Sequence, residues 1–175
     1  MKNMFLKSLT ASGLVAGSLL SSSAFAADAT GSFQATTSVS GSCVLVTENV
    51  AFGSYDAVEA KEKLAMGNVG VRCTDGVMAY VLLDQGLSAE ASSTCSLPKR
   101  QTKTQNGKLL AYELYIEEKL PWFISQWGCS NESHAVVQSM SSLEFFNIPV
   151  GGYITAGQNA QIGVYTDTVG VTVTF

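Results

Sequence analysis

The sequence predicts an all-β fold, and three observations carry that prediction. Charged residues make up only 14 % of the chain, and Thr, Ser, Val and Gly are plentiful, a composition that suits paired strands better than helices. Short segments of alternating or continuous apolar character recur along the chain, separated by Gly-, Asn- and Asp-containing turns. The last segment shows the pattern best: Val169, Val171, Val173 and Phe175 fall on one face of an extended strand, with Thr168, Gly170, Thr172 and Thr174 on the other. A domain that ends on a core strand leaves a neighbouring edge to be covered by some other segment or by a partner.

Residues 1–26 read as an export signal. Lys2 and Lys7 precede the apolar and small-residue run from Gly13 to Leu20, and Ala24-Phe25-Ala26 is a cleavage site for removal after Ala26. The run is shorter than the roughly 18–20 residues a membrane span needs, and no other segment approaches that length without charge. Without Lys2 and Lys7 the chain holds 8 basic against 14 acidic residues, which argues against nucleic acid or an anionic membrane surface as a partner. Cys43, Cys73, Cys95 and Cys129 all follow the signal, and an even count in an exported chain reads as disulfides. Three pairings are open. Zinc is the rival reading, but no C-x-x-C pair exists and His134 is isolated.

Taken in order, residues 27–42 are rich in small residues, with Phe33, Ala35, Thr37 and Val39 on one strand face. The segment is too small and polar to anchor itself; a frayed terminus is the plain alternative. Cys43 to Val46 and Val50 to Phe52 read as short strands, followed by a turn at Gly53-Ser54-Tyr55. Residues 56–67 read as a solvated loop around the charges of Glu59 to Lys63. Val69 to Cys73 and Val77 to Leu83 are strands joined by Asp75-Gly76. Residues 84–100, with Pro98 and Cys95, read as a loop. Asn106-Gly107 is a tight-turn signal before Lys108 to Ile116, where Leu110, Tyr112, Leu114 and Ile116 share a face. Leu120 to Trp127 is apolar and aromatic. Val136-Val137 and Leu143 to Val150 precede an expected turn at Gly151-Gly152 and the final strand. About seven short strands at this spacing predict a sandwich.

A catalytic reading finds little to build on. Ser–His and Cys–His arrangements rest on His134 alone, within the polar run Ser130-Asn131-Glu132-Ser133. Asp167 reads as a turn or strand-entry residue bonding nearby backbone. Gly151-Gly152 lacks the helix and lysine of a phosphate loop, and Glu117-Glu118 fit a solvated turn. The expectation is a protein that is no enzyme and needs no cofactor or metal. Pro121-Trp122-Phe123-Ile124 with Trp127 reads as core or interface packing; the alternative exposes Trp122 and Phe123 as an adhesive patch.

Several segments, in this order behind a signal peptide, resemble the spore coat protein U domain family, whose members include subunits of archaic (Csu-type) chaperone–usher pili. They are Ser42-Cys43, Phe52-Gly53-Ser54-Tyr55, Val71-Arg72-Cys73-Thr74-Asp75-Gly76 and Leu110-Ala111-Tyr112-Glu113-Leu114-Tyr115. Trp127-Gly128, Ile148-Pro149, Gln158 and the closing Gly163-Val164-Tyr165-Thr166-Asp167-Thr168-Val169 complete the set. The resemblance implies an incomplete immunoglobulin-like β-sandwich over residues 43–175 that lacks its final strand. In that family a periplasmic chaperone lends a strand, and at the outer-membrane usher the N-terminal extension of the next subunit replaces it. On that resemblance residues 27–42 are a donor strand with Phe33, Ala35, Thr37 and Val39 as its plugging residues. Val169, Val171, Val173 and Phe175 then line the acceptor groove. It also implies a Cys43–Cys73 bridge, which leaves Cys95 and Cys129 for each other. The expected partners are chaperone, usher and neighbouring subunits, and the expected destination is the cell surface, in attachment and biofilm formation. The runner-up is a self-contained secreted coat protein or a carbohydrate binder using Trp122 and Trp127.

Overall fold

In the computed structural model, residues 29–59, 61–116, 126–138 and 143–175 are described. The signal at 1–26, Glu117-Glu118, and Trp122 with Phe123 lie outside them. The chain divides into two units, residues 1–37 and 38–175. In the first, residues 29–37 form no strand, and Phe33 is 91 % exposed.

The second unit is antiparallel β-structure, with no helix among the described residues. Its strands are β1 (Cys43–Glu48), β2 (Lys63–Cys73), β3 (Met78–Leu83), β4 (Arg100–Lys103), β5 (Leu109–Ile116), β6 (Ala135–Gln138), β7 (Phe146–Ile154) and β8 (Val171–Thr174). They form a five-stranded sheet in the order β1-β2-β7-β5-β4 and a three-stranded sheet in the order β6-β3-β8. Alternation decides which faces meet. Val69, Val71 and Cys73 of β2, Leu110, Tyr112, Leu114 and Ile116 of β5, and Ile148, Val150 and Ile154 of β7 turn inward. They pack in one core with Ala79, Val81 and Leu83 of β3 and Ala135 and Val137 of β6. The result is an incomplete immunoglobulin-like sandwich.

Trp127 and Arg100 tie the two sheets together. Trp127 is 0 % exposed and donates from Nε1 to the Val81 carbonyl at 2.9 Å, while its backbone N–H reaches Leu114 O at 2.8 Å. Arg100 lies opposite Tyr112 in the β4–β5 ladder and points inward. Its guanidinium donates to Asp84 O at 2.9 Å and Trp127 O at 2.7 Å, so a buried cation is held by carbonyls at the end of β3. Trp127 is therefore unavailable as a surface platform, contrary to the carbohydrate-binding expectation. Disulfides join Cys43 to Cys73 and Cys95 to Cys129. Cys43 and Cys73 face each other in the β1–β2 ladder, whereas the second bond secures the 84–99 connection to the segment after Trp127.

Three elements differ from the sequence expectation. Val50 to Phe52, expected as a short strand, is not in strand conformation, its side chains packing over Gly152 instead. β2 starts at Lys63, inside the expected loop, because its weak strand formers Lys63, Ala65 and Gly67 pair with Ile154, Gly152 and Val150 of β7. Gly151-Gly152, expected as a turn, lies within β7. The reason is space: a Cβ on Gly152 would sit 2.5 Å from Val50 Cγ1 and 2.8 Å from Phe52 Cζ. The glycine lets those side chains cross the strand. Gly152→Ala is accordingly expected to destabilise the protein by about 1–3 kcal/mol, read as a lowered midpoint in chemical denaturation with an unchanged m-value.

Candidate functional site

A groove of about 690 Å³ opens between two stretches of chain, Thr47 to Gly53 on one side and Tyr165 to Val171 on the other. Its floor is Val69, Leu83, Tyr112, Leu114 and Val150, residues that belong to both sheets. Along the second rim, Tyr165, Asp167, Val169, Val171 and Val173 are half-buried, while Thr166, Thr168, Gly170, Thr172 and Thr174 are exposed. Tyr165, Asp167, Val169 and Val171 therefore alternate into the groove, and Val173 packs on the core beyond it, although ladder pairing with β3 is confined to Val171–Thr174. Val169 packs on the core just before β8, and Phe175, beyond it, is exposed.

Backbone parity shows what this rim lacks. Asp84 N–H bonds Gly170 O at 2.9 Å, Leu87 N–H bonds Thr168 O at 3.1 Å, and Thr166 exchanges both its bonds with Lys103. The even-numbered residues thus spend their backbone groups on the covered side, and the N–H and C=O of Asp167, Val169, Val171 and Val173 face the open side. The other rim has the same character. Ser42 and Thr74 are bonded, so Val44, Val46 and Glu48 pair toward β2 while Leu45 and Thr47 present their backbone to the edge. Leu45 shares a face with Val71, yet it is 36 % exposed where Val71 is buried. The groove is apolar below, and the backbone groups of Leu45, Thr47, Asp167, Val169 and Val171 face away from the pairing on their covered sides, a geometry suited to an extended segment.

The first rim is pinned although it is not a strand. Val50 and Phe52 pack over Gly152, and Phe52 meets the Tyr112 ring edge-on at a centroid distance of 6.0 Å. Gly53 turns the chain at φ +67°. Tyr55 then donates to Thr155 O at 3.1 Å and accepts from Gln158 N–H at 3.0 Å. The Gln158 amide bonds both the N–H and the C=O of Ala111, at 2.8 and 2.9 Å, in the manner of one more strand residue beside β5.

One end of the groove is polar. Tyr112 Oη donates to Asp167 Oδ2 at 2.7 Å, and Asp167 Oδ1 accepts from the N–H groups of Leu87 and Ser88 at 3.0 and 3.2 Å. The carboxylate does bond backbone, as the sequence suggested, but backbone about 80 residues away rather than nearby. Gly86, at φ +78°, leaves the space for it, since a Cβ there would lie 2.1 Å from Asp167 Oδ2. Burial, and next the Asp167 hydrogen bond, pushes the Tyr112 phenol well above its ordinary range. Burial pulls the Arg100 guanidinium down, opposed by Tyr112, Asp84 and Asp167. Arg100 Nη1 is buried and has no hydrogen-bond partner.

His134 lies elsewhere, on the outer face of the three-stranded sheet. It stands edge-on to Tyr80 at 5.1 Å with Nδ1 3.3 Å from Ser130 O. Among the described residues no group of His, Cys, Asp or Glu could hold a metal ion. Phe33, Ala35 and Thr37 belong to the first unit and Val39 to the second; Phe33 and Val39 are both largely exposed.

The profile of the Spore Coat Protein U domain matches residues 29–172. The chain belongs to that family. Protein U of Myxococcus xanthus is 31 % identical over 181 residues, spanning 97 % of this chain and 98 % of the relative. Among solved structures, a similar chain comes from the crystal structure of the CsuC–CsuE chaperone–tip adhesion subunit pre-assembly complex from archaic chaperone–usher Csu pili of Acinetobacter baumannii. That match has a TM-score of 0.54 at 23 % identity and covers 78 % of this chain but 40 % of the solved one. It is a likeness of fold.

In this Spore Coat Protein U domain, Val50, Phe52, Tyr112 and Asp167 are among the residues of the groove that the sequence left unassigned. Alternation marked Tyr112 as inward, but nothing local places it beneath a slot made by residues 47–53 and 165–171. The raised Tyr112 phenol yields a test. Below about pH 10 it is protonated in both folded and unfolded chains. Above that, only the unfolded chain loses the proton, so stability falls by up to about 1.4 kcal/mol per pH unit. Tyr112→Phe is expected to flatten the alkaline limb of the stability–pH curve by about that slope, measured by urea denaturation between pH 9 and 11.

Proposed function

We propose that this Spore Coat Protein U domain is a structural subunit, shaft or adaptor, of a chaperone–usher pilus that polymerises by donor-strand exchange. The observation that carries the proposal is the slot between Thr47–Gly53 and Tyr165–Val171, apolar in its floor and unpaired along its rims. A periplasmic chaperone would occupy it first. At the outer-membrane usher, residues 27–42 of the next subunit would replace the chaperone strand, with Phe33, Ala35, Thr37 and Val39 pointing into the groove lined by Val169 and Val171. The fold likeness to a chain of a chaperone–subunit pre-assembly complex supports this. The chain would travel through the periplasm to the cell surface, where the fibre serves attachment and biofilm formation.

The energetics favour exchange over a bare groove. Burying Phe33 and Val39 supplies roughly 1.5–3 kcal/mol each, and each ladder hydrogen bond adds about 1 kcal/mol. Ala35 and Thr37 add little apolar area. Phe33 therefore dominates the plug.

Appending a second copy of residues 27–42 after Phe175, through a short glycine-rich linker, should raise the melting temperature by about 10 °C or more. A plain chain that is already a stable monomer, with no gain from the appended copy, points instead to the self-contained coat protein. Phe33→Asp is expected to abolish fibres seen by electron microscopy while co-purification with the chaperone persists. Unchanged fibres contradict the donor role.

A further inference from the structure

The two ends of the groove are chemically different, and the proposed donor segment is polar at one inward position only. We infer that Asp167 sets the register of the inserted strand by accepting a hydrogen bond from the Thr37 hydroxyl of the incoming chain. The inference rests on the donor-strand reading above and adds to it a specific alignment.

Direction comes first. Thr47 lies opposite Val69, and Phe52 contacts Tyr112, so the first rim approaches Tyr112 as residue numbers rise. Asp167 contacts Tyr112 and Val171 lies opposite Leu83, so the second rim leaves Tyr112 as numbers rise. The rims run in opposite senses, and an inserted strand is antiparallel to one and parallel to the other. Residues 49–53 lie outside any strand, and so do residues 167–170, but the second rim keeps strand alternation through the bonds of Thr166, Thr168 and Gly170 to Lys103, Leu87 and Asp84 and runs on into β8. The regular edge is the second rim, and the antiparallel ladder, the more stable per residue, forms there.

Register follows from count and polarity. The groove is lined on that rim by four inward positions, Tyr165, Asp167, Val169 and Val171. The donor also offers four: Phe33, Ala35, Thr37 and Val39. A slip of one residue would turn all four outward, so only even shifts are allowed. Four set against four in the antiparallel sense pairs Phe33 with Val171, Ala35 with Val169, Thr37 with Asp167 and Val39 with Tyr165. Phe33 then lies over Val69 and Leu83, the apolar end. Thr37 meets the carboxylate. Asp167 accepts three hydrogen bonds, from Leu87, Ser88 and Tyr112, and a carboxylate has room for about four. Run in the parallel sense, the same four would place Ala35 at Asp167 and the Thr37 hydroxyl against Val169. That leaves the Thr37 hydroxyl covered without a partner.

The test uses the chain carrying the appended copy of residues 27–42, with substitutions made in that copy. Thr37→Val removes the hydroxyl and keeps the shape. It should lower the melting temperature by about 4–8 °C relative to the unsubstituted copy. Thr37→Ser keeps the hydroxyl and should stay within about 2 °C. In a body carrying Asp167→Asn, the Thr37→Val penalty should shrink to less than half. A Thr37→Val copy that is as stable as Thr37, or more so, overturns the register while leaving the donor reading standing. So does an undiminished penalty in the Asp167→Asn body. An unsubstituted copy that gives no stabilisation overturns both. If Asp167→Asn does not fold, the Val and Ser substitutions decide the matter alone.

Discussion

Everything in this molecule turns on the parity of the stretch from Tyr165 to Val173. Its odd-numbered side chains point inward, its even-numbered backbone groups are paired to Lys103, Leu87, Asp84 and β3, and the remaining backbone groups face open space. Both properties come from the two-residue repeat of an extended chain. They cannot be separated: whatever covers the half-buried valines must also be extended, because the same rim presents a ladder to it. A loose hydrophobic patch would accept many shapes. The geometry of this rim matches a strand.

The rest of the architecture holds that rim at a fixed distance from the other one. Arg100 and Trp127 bind the end of β3 to β4 and β5 through backbone carbonyls, and the Cys95–Cys129 bond secures the connection beside them. Tyr55 and Gln158 do the same for the opposite rim. A domain whose sandwich is incomplete cannot rely on a closed core for rigidity. Here rigidity comes from specific polar crosslinks around the opening, with Gly152 and Gly86 providing the space they need.

Much of the fold was legible in the sequence because it is local. The Asn106-Gly107 turn announces the β4–β5 hairpin, and the alternation Leu110-Tyr112-Leu114-Ile116 identifies its inward face. What was not legible depends on residues distant in sequence. Lys63 to Gly67 has poor strand propensity and is a strand because β7 pairs with it. Gly151-Gly152 has turn composition and lies in a strand because Val50 and Phe52 need to cross it. Of the site, the valines of the second rim were readable from alternation. The first rim, with its irregular backbone held by Tyr55, carries no periodic signal.

The Cys43–Cys73 bond has a mechanical consequence. Cys43 is the first residue of β1, an edge strand, and an edge strand pulled from its end unzips one hydrogen-bonded pair at a time. The covalent bond passes tension arriving through Ser42 straight to Cys73, the last residue of β2. β2 is eleven residues long and paired with β7 along most of its length. A pull along it loads those hydrogen bonds together, in shear. A strand paired on one side only is thus the one that tension entering at Ser42 bypasses.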